Sequence, residues 1–149
     1  MSKTSGLVEV TPFDQFDHFR RMLDDSYWFG KVLSSREADV WKPPTDVFET
    51  KDKIIIKMSL PGVNPKDIGI EFNGDVVTIC GFRRWDHSQR VVAYHQMEIR
   101  NGYFKRAIRL NIPFDPDGAA ADYKEGFLKL EVPKAREPVQ RVLVMRLNL

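Results

Sequence analysis

Apolar and polar residues alternate through much of the middle of the chain. In Lys53-Ile54-Ile55-Ile56-Lys57-Met58-Ser59-Leu60, the residues Ile54, Ile56, Met58 and Leu60 fall on one side of an extended segment. That period of two predicts a half-buried strand. Leu60-Pro61-Gly62-Val63-Asn64-Pro65 ends it, because two prolines remove backbone donors and fix φ. Ile68, Ile70 and Phe72 form the next alternating face. Asn73-Gly74 follows, and Asp75-Val76-Val77-Thr78-Ile79-Cys80 returns. An Asn-Gly pair between two such runs predicts a tight hairpin. Phe82 to Ala93 is polar and loop-like, with the apolar pair Val91-Val92 near its end. His95, Met97 and Ile99 alternate again, Asn101-Gly102 turns, and Phe104, Arg106, Ile108 and Leu110 alternate after it. A Pro/Asp/Gly loop runs from Asn111 to Gly118. Tyr123, a turn at Lys124-Glu125-Gly126 and the run Phe127 to Val132 complete the pattern, and Pro133 ends it. Short strands, frequent turns and no long internal helical period predict an antiparallel β-sandwich over residues 43–134.

The two flanking segments read differently. Residues 1–42 are rich in aromatics, among them Phe13, Phe16, Phe19, Tyr27, Trp28 and Phe29. Thr11-Pro12-Phe13-Asp14 has the grammar of a helix start, with Thr as cap, Pro at the first helical position and an acid behind it. Phe13, Phe16, Phe19, Met22 and Leu23 then recur near helical spacing, and Asp14, Asp17, His18, Arg21 and Asp25 lie opposite. Such a short amphipathic helix is marginal alone. Residues 135–149 end on Val142-Leu143-Val144-Met145, then Leu147 and Leu149. An apolar, β-prone terminus is either the domain's last strand or a plug for another chain.

Composition narrows the function classes. A chain of 149 residues suits one domain plus a modest extension. Its net charge of +2 supplies no electrostatic footprint for nucleic acid. No apolar run approaches the roughly 18 residues of a membrane span, and no signal-type apolar stretch follows Met1. The single cysteine, Cys80, excludes an intrachain disulfide. These features lead us to expect a cytoplasmic protein with no stable membrane association. His18, His87 and His95 lack metal-ligand spacing, and Cys80 has no sequence cue for a lowered pKa. No nucleophile elbow, phosphate loop or dinucleotide fingerprint is present. The expectation is no enzyme, no metal and no cofactor.

Several ordered motifs resemble the Hsp20 small heat shock proteins of bacterial type. Leu60-Pro61-Gly62-Val63, Lys66-Asp67-Ile68 and Val77-Thr78-Ile79-Cys80-Gly81 resemble the first half of the α-crystallin domain. Gly102-Tyr103-Phe104-Lys105-Arg106 with Leu110 resembles its G-x-F-x-R-x-x-x-L signature. Ala121-Asp122-Tyr123-Lys124-Glu125-Gly126-Phe127-Leu128 with Val132-Pro133-Lys134 resembles the A-x-Y-x-x-G-x-L…P-K signature. Val142-Leu143-Val144 looks like the family's I-x-I tail motif, with valine in place of isoleucine. The chain departs in placing Asn111-Ile112 before Pro113, where the family has proline directly after the leucine.

The resemblance implies an all-β, immunoglobulin-like sandwich with a short helical N-terminal arm and an extended C-terminal tail. It implies an ATP-independent holdase that binds unfolding clients and works as an exchanging oligomer built of dimers. In that reading the tail is a plug, with Val142 and Val144 as knobs docking on a neighbour's edge strands. The strands matching the family's groove carry Ile68, Ile70, Ile108 and Leu110. Arg90, Val91 and Val92 would exchange onto the partner's first strand at Asp46, Val47 and Phe48. Arg106 would be a structural arginine, since a charge on an apolar strand face needs a partner. The aromatics Phe13, Phe16, Phe19, Tyr27, Trp28 and Phe29 would form the client surface. The rival reading is a sandwich-fold co-chaperone or adaptor that binds one dedicated partner.

Overall fold

The computed structural model describes residues 7–12, 27–36, 40–85, 89–139 and 142–148. They form two antiparallel sheets and a short helix. One sheet holds β2 (Thr45–Glu49), β3 (Lys53–Ser59), β7 (Ala120–Lys124) and β8 (Phe127–Pro133) in the order β2-β3-β8-β7. The other holds β1 (Leu7–Pro12), β4 (Ile68–Asn73), β5 (Val76–Arg83), β6 (Gly102–Arg109) and β9 (Val142–Asn148) in the order β1-β9-β4-β5-β6. The helix α1 spans Tyr27–Leu33.

Alternation decides which side chains meet. Ile54, Ile56 and Met58 of β3 face inward with Leu128, Leu130 and Val132 of β8. Against them lie Ile68, Ile70 and Phe72 of β4 and Val77 and Ile79 of β5. Each large aliphatic so enclosed contributes roughly 1.5–3 kcal/mol. The Asn73-Gly74 turn sets the β4–β5 register, with Ile70 opposite Ile79 and Phe72 opposite Val77. Two glycines are required on steric grounds. Gly126 has φ +82° in the β7–β8 turn, and a Cβ there would lie 3.0 Å from Pro61 Cα. A Cβ on Gly81 would overlap the Asp67 carbonyl and the Phe104 ring.

Two predicted elements differ. Thr11 and Pro12 end strand β1 instead of starting a helix. Leu7 to Pro12 pairs with β9, and Pro12 sits at the strand's last position, where a missing donor costs little. Residues 95–99 form no strand. Both edges of β5 are taken by β4 and β6, and the end of β6 at Phe104 is covered by Trp41, whose N–H donates to Tyr103 O at 3.1 Å. Alternation without a neighbour leaves Met97 and Ile99 in solvent, 58% and 76% exposed.

Candidate functional site: two sides of the sandwich

One side is sealed by the terminal strands. β9 pairs antiparallel with β4, with Ile70 opposite Met145 and Phe72 opposite Leu143. Leu143, Met145 and Leu147 enter the core. Alternation then puts Val142 and Val144 on the outer face of the sheet, where Val144 is still buried. Arg146 Nη2 donates to Lys66 O at 3.1 Å and fixes the far end. β1 pairs with the other edge of β9, from Leu7 opposite Asn148 to Pro12 opposite Leu143, and touches β7 of the second sheet. Within one chain, therefore, the tail lies on its own domain.

Within one chain the residues expected to form the groove divide between two strands. Ile68 and Ile70 do lie on the strand that receives the tail. Ile108 and the residue after β6, Leu110, do not join them, because β5 lies between β4 and β6. The knobs that enter the core also sit one residue out of phase with Val142 and Val144. The signal for this was in the sequence: the interleaved series Leu143, Met145, Leu147 is bulkier, and burial favours the larger side chains.

The opposite side is open. β2 pairs only with β3, and among the described residues nothing pairs with its outer edge. Val47 and Phe48 are 45% and 49% exposed there, and Asp46 is exposed beside them. A cleft of about 280 Å³ lies between Val47, Phe48 and Ile54 on one wall and Arg109, Leu110 and Ile112 on the other. Arg90, Val91 and Val92 lie in the loop between β5 and β6 and are exposed, Val92 at 96%. No ladder joins them to β2 within the chain. Arg106 is half-buried between Phe104 and Ile108 on β6, and its Nη1 makes a long contact to Pro43 O, 3.4 Å. No carboxylate forms an ion pair with it among the described residues.

The outer face of the five-stranded sheet is covered in part by α1. Val32 is buried, and Lys105 Nζ donates to Leu33 O at 2.6 Å and Ser35 O at 3.0 Å. A cation at the last carbonyls of a helix complements its dipole. Burial pushes the Glu71 carboxyl above its ordinary value, with Lys105 opposing. Burial also pushes the Cys80 thiol far up, so it stays protonated and a poor nucleophile. Of the N-terminal aromatics, Phe13, Phe16 and Phe19 lie outside the described residues, and Tyr27, Trp28 and Phe29 open α1. Among the described residues no group of His, Cys, Asp and Glu has metal-holding geometry. No helix among them is long and apolar enough to cross a membrane.

Among the described residues the sandwich thus has one strand edge closed by its own termini and another, apolar, left unpaired. The profile of the Hsp20/alpha crystallin family matches residues 46–144, and the chain belongs to that family. It is thereby a chaperone of the stress response. It is 38% identical over 131 residues to Spore protein SP21 of Stigmatella aurantiaca, covering 88% of this chain and 73% of that one. It is 30% identical over 133 residues to Small heat shock protein C2 of Rickettsia felis, covering 87% and 86%. Among solved structures it is similar to hspA from Xanthomonas axonopodis, with a TM-score of 0.59 at 28% identity, covering 66% of this chain and 98% of that one.

Proposed function

We propose that this chain is an ATP-independent holdase that captures unfolding proteins and prevents their aggregation, as an exchanging oligomer built of dimers in the cytoplasm. The observation that carries this is the pair of strand edges. The β2 edge, with Val47 and Phe48 in solvent, suits a strand from a second copy. Arg90 to Val92 supply that strand, exposed and unpaired by any ladder within the chain. The β9 ladder can be made between subunits as well as within one, because β4 offers the same donors and acceptors to either. Residues 135–141, with Pro138, form the tether that lets the tail move. Arg106 acts structurally, holding Pro43 beside β6. The aromatics from Phe13 to Phe29 supply adaptable apolar area for clients.

The test is light scattering from a heat-aggregating client, with and without this protein and without nucleotide. Near-stoichiometric suppression is expected. Undiminished scattering across several clients and temperatures would overturn the holdase reading in favour of a dedicated-partner adaptor.

A further inference from the structure

The start of the tail is pinned by the loop that follows β6. Ala135 N donates to Pro113 O at 2.9 Å, and Asp115 N donates to Pro133 O at 2.9 Å. Phe114 and Lys134 form an antiparallel bridge between the two segments. The same loop is tied to the β4–β5 turn, because Leu110 N donates to Asp75 O at 2.8 Å. Ile112 packs half-buried against the core, and the Phe114 ring lies 6.0 Å from that of Phe72. Gly74 and Asp75 of the turn, Leu110 and Ile112 of the loop, and Pro138 and Val139 of the tether line one cavity of about 470 Å³.

Exit and landing point are therefore neighbours. The tail leaves the loop at Ala135, and β9 meets β4 with Val142 opposite Asn73, next to Phe72. Val142 stands seven positions after Ala135, a reach of at most about 25 Å. Closing so short a loop costs little entropy and holds the tail at high local concentration over its own β4. A neighbour's β4 offers the same backbone groups without this approach.

We infer that the 110–114 loop is a clamp that routes the tail onto its own β4, with Ile112 as its anchor and Pro138-Val139 as the strap it guides. Asn111 and Ile112 give the loop the length to run from β6 to Ala135. Removing them shortens that reach by up to about 7 Å, so Pro113 cannot stay beside both. The consequence, though not the routing itself, rests on the proposed exchanging oligomer: while the clamp holds, fewer tails are free to join neighbouring subunits, and opening it raises assembly size.

Oxidation of the full chain carrying Asn73→Cys and Val142→Cys reads the routing, since those positions face each other across the β4–β9 ladder and Cys80 is buried. Heavy- and light-labelled chains are refolded together, and mass spectrometry sorts the linked peptides. The parent is expected to give same-label links, whereas heavy–light links mark tails on a neighbour. Deleting Asn111 and Ile112 is expected to lower the ratio of intrachain to interchain links about fivefold, the scale of one lost backbone hydrogen bond. Val139→Asp, on the tether and outside both sheets, is expected to act in the same direction and decides the matter if the deletion does not fold. Heavy–light links at half of the total in the parent, no link between the two positions in the parent, or a ratio that the folded deletion variant (or Val139→Asp in its place) leaves unmoved would overturn the inference. The readout needs no client, so a failure of the holdase reading leaves it intact.

Discussion

The two sides of the sandwich solve the same problem in opposite ways. Each has strand edges with unpaired backbone groups, which are templates for other chains. On the β4 side, β9 pairs in register and drives Leu143, Met145 and Leu147 into the core, and β1 pairs over it. On the β2 side, the edge stays open and Val47 and Phe48 face water. The sealed side uses segments tethered to its own chain, so closing it needs no partner. Among the described residues no segment pairs with the outer edge of β2. Buried apolar contacts of the terminal strands are therefore concentrated on one side, and the exposed edge lies on the other.

The largest expected effect breaks the sealed side. Leu143→Ala removes a fully buried side chain opposite Phe72 and is expected to cost about 2–5 kcal/mol. Val142→Ala, on the outer face, is expected to cost under ~1 kcal/mol. Urea unfolding of the two variants gives the ranking. The reverse order would mean that Val142 and Val144 are the anchoring knobs after all, and that the tail sits one residue out of the phase described.

That phase is where reading the sequence reached its limit. The strands β3, β4, β5 and β8 were legible because one alternating series dominated each and a turn residue marked each end. In 142–147 two apolar series interleave, and only the greater bulk of Leu143, Met145 and Leu147 favours one of them for the core. Thr11-Pro12 carried correct local grammar for a helix cap. A partner more than 130 positions away in the chain made it the end of a strand instead. Met97 and Ile99 show the converse, an alternating run that pairs with no strand within the chain. Ile108 and Leu110 lie apart from Ile68 and Ile70 because strand order, not strand identity, separates β6 from β4. Open-edge residues Val47 and Phe48 were legible only through the family resemblance.

The open side gives a different signature. Phe48→Asp places a charge on an edge already half in water, and folding stability is expected to change by no more than about 0.5 kcal/mol. Assembly is expected to suffer instead, because a buried unpaired carboxylate at a subunit contact costs several kcal/mol. Sedimentation velocity should show smaller species at unchanged urea midpoint. Intact assemblies would move the dimer contact away from β2.

The smallest effect sharpens the sealed side through pH. Glu71 on β4 lies opposite Val144 of β9 and Thr78 of β5, and burial raises its carboxyl pKa while Lys105 opposes. A raised folded-state value means that the folded chain holds this proton more tightly than the unfolded chain. Stability from this group therefore falls as pH climbs from the ordinary carboxylate value through the folded value, and the loss is complete above it. Glu71→Gln removes the penalty. The variant is expected to be more stable than the parent at pH 7, by under ~1 kcal/mol because the site is partly hydrated. The advantage should vanish below about pH 4, where the parent is protonated in both states. Urea midpoints at the two pH values measure the difference. A parent more stable than Glu71→Gln at pH 7 would show that attraction to Lys105 outweighs burial, and that the outer face beside β9 is held by charge.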